Sequence, residues 1–405
     1  MKKFLAVCSA VALSLAVLTT ATTHSQKTPG DLGDRGLPGK YLGKGESAIP
    51  GRYIVVFNDW ATGERGANSF APALASTMKD IYGGAVERTY QHALNGFAAK
   101  MSKEQALSLS QDPRVAFVEE DGVMTASTTQ TGATWGLDRI DQRDRPLNGT
   151  YNYTFTGSGV RAYVIDTGIR TTHTQFGGRA SAVFDALGGN GQDCNGHGTH
   201  VAGTIGGSTY GVAKGVMLRA VRVLDCSGSG STSGVISGVD WVTANHISPA
   251  VANMSLGGGA SSALDTAVQN SINSGVTYSI AAGNSNGADA CTQSPARVGA
   301  AITVGSTTST DARSSFSNIG TCVDIFAPGS SITSSWATSD TATNTISGTS
   351  MATPHVTGAT ALYLQAFPGS SPATIRNALV NNATLNHITN VGSGSPNRLL
   401  YTRFF

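Results

Sequence analysis

The chain has 405 residues, 13% of them charged, with 50 glycines and a formal net charge of +2. That length suits two or three domains with at least one sizeable core. Its apolar content excludes a disordered chain, its glycines argue against a helical bundle, and the lack of any Lys/Arg cluster excludes a nucleic-acid footprint.

Residues 1–24 begin with Lys2 and Lys3, continue through an apolar stretch from Phe4 to Leu18, and reach small residues at Thr19–Ala21. This predicts a secretory signal peptide, the competing reading being a membrane anchor. No other run is long and apolar enough to span a bilayer, so no membrane association is expected after signal removal. Cys8 leaves with the signal. Cys194, Cys226, Cys291 and Cys322 are an even set in an exported chain, which predicts two disulfides and leaves three pairings open.

Residues 25–50 are rich in Gly, Pro and Lys and read as a linker. Residues 51–127 alternate strand and helix signals. Strands are expected at Arg52–Asn58, Val86–Gln91, Gly96–Met101 and Val115–Val118, and a helix at Phe70–Tyr82. Ser102 to Gln105 is a capping box opening a second helix that ends before Pro113. The order β-α-β-β-α-β predicts a small ferredoxin-like α+β domain.

Composition then changes. All six glutamates precede Thr128, and Lys214 is the sole lysine after it. We place a boundary at 127/128, with a second domain over 128–405. Buried strands are expected at Val160–Ile165, Leu218–Leu224, Val251–Leu256, Thr277–Ala282 and Ala301–Val304. Helices are expected at Ser231–Asn245 and Ser262–Ser274. This is an α/β pattern: a doubly wound, mostly parallel sheet covered by helices on both faces.

Three motifs carry chemistry. Asp166 follows a buried strand, where open α/β sheets place functional residues, although a cap or turn Asp would look the same. An aspartic protease would need a second DTG or DSG, and none exists. His197 lies between Gly196 and Gly198 before small and apolar residues. A metal shared with His200 is the alternative, but no third ligand is near and H-E-x-x-H is absent. Ser350 opens a helix running to about Phe367. It reads either as a helix cap or as a nucleophile whose oxyanion the helix N-terminus would favour. Asp, then His, then Ser is the chain order of subtilisin, distinct from chymotrypsin and the α/β-hydrolases.

The stretches VIDTGI (164–169), NGHGTHVAGTIGG (195–207), NMSLGGG (253–259), AAGN (281–284) and SGTSMATPHV (347–356) resemble the signatures of the subtilisin-like serine proteases. WGLDRIDQR (135–143) and the cysteine placement narrow this to the proteinase K subfamily and its aqualysin-like bacterial members. The likeness covers nearly all of 128–405, and residues 51–127 resemble the family's propeptide inhibitor. It implies a secreted, broad-specificity serine endopeptidase with the triad Asp166, His197 and Ser350 and the oxyanion donor Asn284. Ser227, Gly228, Ser229 and Gly230 on one side, and Ser255, Leu256 and Gly257 on the other, would flank an extended peptide. Ala281, Ala282 and Gly283 would form an uncharged P1 pocket favouring aromatic or aliphatic residues.

The resemblance further implies structural Ca2+ held by Asp324 with the carbonyls of Gly299 and Ala301, and a second ion at Asp138, Asp141 and Gln142. It pairs Cys194 with Cys226 and Cys291 with Cys322. The expected partners are protein substrates and the chain's own propeptide as intramolecular inhibitor, with its tail, about Val123–Ser127, in the active site and autocleavage near Ser127/Thr128. The mature enzyme is expected to be a monomer. Two rival readings are a catalytically inactive binding protein on this fold and an esterase using the same triad.

Overall fold

The computed structural model describes residues 40–44, 48–122 and 128–405. The expected signal peptide and the tail 123–127 lie outside them, as does most of the expected linker. The chain divides into two compact units, Met1–Met124 and Thr125–Phe405.

In the first unit the elements run β1 (Tyr41–Leu42), β2 (Ala48–Phe57), α1 (Asp59–Thr62), α2 (Ala71–Tyr82), β3 (Ala85–Tyr90), β4 (Gly96–Lys100), α3 (Lys103–Ser110) and β5 (Val115–Gly122). The five strands form one sheet in the order β1-β5-β2-β4-β3. Val55 and Phe57 of β2, which alternate, and Val115 and Val118 of β5, brought to the same face by a shift in register, bury against Ala75 and Met78 of α2 and Leu109 of α3. The capping box forms both of its bonds: Gln105 N–H donates to Ser102 Oγ at 3.2 Å, and Ser102 N–H donates to Gln105 Oε1 at 2.8 Å. One difference from expectation is β1, which falls within the segment read as linker. Tyr41 is buried there, and its hydroxyl donates to Glu120 at 2.7 Å.

The second unit begins with β6 (Thr128–Thr131), α4 (Trp135–Ile140), β7 (Thr150–Tyr153), β8 (Arg161–Asp166), β9 (Ala180–Asp185), α5 (His197–Gly206), β10 (Met217–Arg222), α6 (Thr232–Asn245) and β11 (Ala250–Met254). It continues through β12 (Gly258–Gly259), α7 (Ser262–Asn273), β13 (Thr277–Ala281), β14 (Gln293–Ser294), β15 (Ile302–Thr307) and β16 (Ile325–Pro328). It ends with β17 (Ile332–Ser335), β18 (Thr343–Ile346), α8 (Thr349–Ala366), α9 (Pro372–Asn381), β19 (Thr384–Leu385) and β20 (Arg398–Leu399).

A nine-stranded sheet has the order β19-β20-β16-β15-β13-β11-β8-β10-β9, and only the β19–β20 pair is antiparallel. Both faces are covered. Val164 of β8 clusters with Val201 of α5 and Val356 of α8, while its neighbours Tyr163 and Ile165 cluster with Val239 of α6 and Val268 of α7. The fold is therefore the expected doubly wound α/β sheet. From β8 the chain first builds β9 and β10 on one side, then crosses to β11 on the other. The carboxyl end of β8 is thus a topological switch point, where a crevice opens between diverging loops.

Candidate active site

Asp166 is the last residue of β8 and is fully buried. Its Oδ1 meets His197 Nδ1 at 2.8 Å and accepts the Thr167 N–H at 2.7 Å. His197 is the first residue of α5. The two glycines around it answer to close contacts. A Cβ at Gly196 would lie 2.5 Å from the Trp336 ring, and one at Gly198 would lie 2.2 Å from the Gly168 carbonyl. Burial pushes the His197 imidazole toward the neutral form, but the carboxylates of Asp166 and Asp193 outweigh it, and its pKa is raised. His200, one turn on, turns away and meets the Ile332 carbonyl at 3.0 Å, so the two histidines do not form a metal pair.

Ser350 is not a helix cap. The N-cap of α8 is Gly348, and Ser350 lies in the first helical turn. Its hydroxyl donates to the Ser255 carbonyl at 3.0 Å rather than to His197. Pro354 has no N–H for the Ser350 carbonyl four residues earlier, and the Ser255 hydroxyl supplies the missing donor at 2.9 Å. Asn253 donates in turn to Ser255 Oγ at 2.9 Å and accepts from Thr357 of α8 at 2.8 Å. A buried polar chain therefore ties the end of β11 to the helix that carries Ser350.

Asn284 follows β13. Its Oδ1 accepts both the backbone N–H and the hydroxyl of Thr349, at 2.8 and 2.9 Å, which leaves Nδ2 free to donate elsewhere. A Cβ at Gly348 would lie 3.6 Å from both Asn284 Nδ2 and the Ser350 nitrogen. Asn284 Nδ2 and the Ser350 nitrogen, together with Met351 Sδ, thus border one space at the start of α8, and an oxyanion there would have both nitrogens as donors. The role of Thr349 in orienting Asn284 has no signal in the sequence beyond its place next to Ser350.

A cleft of about 580 Å3 runs from His197 between the two expected edges, Ser227–Gly230 and Ser255–Gly257, and on to Gly259 and Leu264. The carboxylate of Asp225 shapes the first edge by accepting from Ser227 N, Ser227 Oγ and Ser229 N. Apart from His197, the described residues lining the cleft include no acidic or basic side chain. Ala281, Ala282 and Gly283 do not line it. They stand at the end of β13 leading into Asn284, with Ala282 fully buried. Disulfides join Cys194 to Cys226 and Cys291 to Cys322, with Cα separations of 4.9 and 5.3 Å.

The two oxygen clusters implied for calcium differ. Both oxygens of Asp324 are engaged: Oδ2 accepts from Thr303 N at 2.8 Å and Oδ1 pairs with Arg376, which also donates to the Ala301 carbonyl at 3.2 Å. A guanidinium is thus paired with this set, although burial still raises the Asp324 pKa as it does that of Asp141, and Gly299 is exposed. Asp138 and Asp141 are both buried. Asp141 Oδ2 accepts from Asn152, but its Oδ1 is buried without a partner, and burial is the first cause raising its pKa. The Gln142 amide donates to the Asp144 and Pro146 carbonyls. An orphaned, buried carboxylate oxygen beside a second acid fits a hard cation better than the Asp324 set does. Among the described residues no three His, Cys, Asp or Glu side chains converge as a metal cluster.

A buried Asp–His pair and a serine at the start of α8, carried on a doubly wound α/β sheet, are the arrangement of a serine endopeptidase. Residues 157–400 match the subtilase family (peptidase S8), residues 52–127 match peptidase inhibitor I9, and the chain belongs to the subtilase family. It is 59% identical over 372 residues to an extracellular serine proteinase of Thermus sp. (strain Rt41A), covering 88% of this chain and 90% of that one. It is 54% identical over 372 residues to alkaline serine exoprotease A of Vibrio alginolyticus, covering 89% and 69%. A crystal structure of a cold adapted subtilisin-like serine proteinase aligns with TM-score 0.65 and 60% identity, covering 67% of this chain and 99% of that one.

Proposed function

We propose that the chain is a secreted precursor whose second unit hydrolyses peptide bonds with Asp166, His197 and Ser350. The observation that carries this reading is the 2.8 Å Asp166–His197 bond at the start of α5, a helix that shares its core with α8, at whose start Ser350 and Asn284 Nδ2 lie close together. Ser350 Oγ turns from the Ser255 carbonyl to His197 Nε2, gives up its proton and attacks the scissile carbonyl. The oxyanion takes hydrogen bonds from Asn284 Nδ2 and Ser350 N. His197 passes its proton to the leaving amine, and water then cleaves the acyl-enzyme by the same base. Asp166 holds the imidazole in register and stabilises its charged form.

Substrates are extended polypeptides lying between 227–230 and 255–257, hydrogen-bonded along their backbones. The uncharged lining supports aromatic or aliphatic P1 residues and broad tolerance. Export is supported by the signal-like residues 1–24 and by the extracellular relative; no helix among the described residues is long and apolar enough to cross a membrane. The match to peptidase inhibitor I9 supports residues 51–127 as the chain's own inhibitor. Autocleavage near Ser127/Thr128 is supported by β6, which starts at Thr128 and pairs with β7 of the second unit. Intact-mass analysis of the mature enzyme should place its first residue within 126–130. The mature enzyme acts as a monomer.

When calcium is bound, Asp138 and Asp141 would hold it and neutralise the orphaned Asp141 oxygen, a structural role. Calcium should raise Tm with no change in initial rate, and Asp141→Asn should remove most of that gain. The central test is Ser350→Ala, assayed on casein and on p-nitrophenyl esters: both activities should vanish. Retained proteolysis would sink the assignment, while retained esterase activity alone would point to a second nucleophile.

A further inference from the structure

Asp193 belongs to none of the motifs singled out in the sequence, yet it has the most fully bonded carboxylate near the site. Its side chain accepts five hydrogen bonds. Oδ1 takes the Thr167 hydroxyl, Asn195 N and Gly196 N, each at 2.9 Å. Oδ2 takes Thr199 N at 2.9 Å and the Thr199 hydroxyl at 2.6 Å. Both hydroxyls accept from further backbone groups. Gly198 N donates to Thr167 Oγ1, and Arg170 N donates to Thr199 Oγ1, each at 2.9 Å.

Thr167 and Arg170 belong to the loop after β8, immediately beyond Asp166. Gly196, Gly198 and Thr199 belong to the start of α5, around His197. An acid that only capped α5 would need only the N–H groups of its own turn. Asp193 instead reaches across to Thr167, and its bonds close two bridges between the loop of the acid and the helix of the base. Cys194, the next residue, is anchored to Cys226. Asp193 is only 9% exposed and all five of its donors are neutral, so its charge stays in the wall beside His197.

We propose that Asp193 is a positioning residue that clamps the Asp166 loop to the His197 helix and so sets the geometry of their hydrogen bond. It touches neither substrate nor reacting atoms. The charged or titratable groups facing His197 are Asp166 from β8, Asp193 from the preceding loop and His200 from α5. Asp166 also joins loop and helix, through Thr167 N and the His197 ring, but Asp193 alone of the two holds the backbone of the helix start. The clamp rests on the assignment of Asp166 and His197 made above, but it fails separately. Activity in the Ser350→Ala protein would overturn that assignment, whereas the clamp is read from rates in enzymes that keep Ser350.

The test uses mature Asp193→Asn and Thr167→Val enzymes, with active sites counted by an irreversible phosphonylating titrant. Asn keeps the shape but loses the charge and presents an N–H to the Thr199 donors. Per titrated site, kcat should fall about 10–100-fold with KM within about twofold, because misplacement of a base acts on the transition state. The acid limb of kcat/KM should move to lower pH, since one carboxylate that favours the imidazolium is gone. Thr167→Val breaks one bridge and keeps the charge, so kcat should fall less and the acid limb should stay. If Asp193→Asn loses only Tm and titratable sites, with kcat per site and acid limb unchanged, the clamp is merely structural and the proposal is wrong. If Asp193→Asn yields no mature enzyme, Thr167→Val decides, and a wild-type kcat per site would overturn the proposal.

Discussion

The two units hold nearly equal numbers of charged residues and place most of them at different depths, Asp112 of the first unit, buried against Arg114 and Tyr82, being the exception. In the first, Glu87 meets Lys100 at 3.2 Å and Arg52 at 3.4 Å at the sheet surface, with Lys100 more than half exposed. In the second, Arg139 is wholly buried. It holds Asp311 through two N–H groups at 2.7 and 3.2 Å and also donates to the carbonyls of Gln142 and Arg143. Asp166, fully buried, and Asp193, 9% exposed, lie beside His197. Screened surface pairs contribute little and tolerate change. A buried charge is costly to leave unpaired, so one whose partners are in place, such as Arg139 or Asp193, also fixes the parts that supply them. Among the described residues the small unit has a sheet and three helices to hold together; the large one must also keep a catalytic geometry.

The sharpest break comes at Ser350. Replacing it by Ala should lower kcat by about 10^6-fold, the scale known for the nucleophile of subtilisin itself. The unprocessed chain would then allow both units to be compared without self-cleavage. Asp311→Ala in that background should cost about 3–5 kcal/mol, because Arg139 would stay buried without its partner. Two-probe chemical denaturation would read the loss in the second unit. A cost below about 1 kcal/mol would erase the contrast in depth.

Next come the disulfides, both confined to the second unit. Each closes a loop of about thirty residues, at separations of 32 and 31. Cys194→Ser with Cys226→Ser should lower stability by about 3–4 kcal/mol through loop entropy. Because Cys194 adjoins Asp193, this pair should also reduce kcat, whereas Cys291→Ser with Cys322→Ser should affect stability alone.

Acid should separate the units further. Burial holds His200 and His355 down to about 4, so both are neutral in the fold. Between pH 6.5 and 4 the unfolded chain binds protons that these sites refuse. Stability therefore falls as pH falls, by about 1.4 kcal/mol per pH unit for each histidine. His197 runs the other way: its raised pKa adds stability below about 6.5, and this is lost as pH rises through the folded value. In the first unit the described histidine, His92, is exposed. Melts at pH 7, 5.5 and 4.5 should show the second unit losing stability while the first changes little. Equal losses would mean that the buried histidines are not the cause.

Much of this was legible in the sequence because local signals agreed with the global fold. Strand β8 is a run of apolar residues buried on both faces, and Ser231 caps α6 where the pattern begins. In the first unit the capping box located the start of α3 to the residue. Several elements absent from the sequence reading are fixed by distant partners, although α9, opened by the Ser371 cap before Pro372, carries a local signal. β9 and β16 take their places from neighbouring strands, and β1 from Tyr41 and Glu120. The Asp–His–Ser order pointed to the site, but its supports did not announce themselves. Thr349 turns Asn284, Ser255 answers the proton missing at Pro354, and Asp193 bridges two loops. Each is a small polar residue whose role exists only after folding has chosen its partner. Periodicity records burial, and it says nothing about where a buried hydroxyl donates.

The smallest effects belong to the first unit and test the other half of the contrast. Ser102→Ala removes one side of the capping box, leaving Gln105 N–H without its acceptor while Gln105 can still reach Ser102 N. The loss should be about 1 kcal/mol. Glu87→Ala breaks two exposed contacts and should cost less than about 1 kcal/mol, because water replaces them and no charge is left buried. That smaller cost should shrink at 1 M salt, where the Debye length is about 3 Å, whereas the cost of Asp311→Ala should persist, since salt cannot reach a closed interior. If Glu87→Ala cost as much as Asp311→Ala, or kept its full cost at high salt, depth would not be what separates the two units. The charges of the first unit would then have to be counted as part of its architecture.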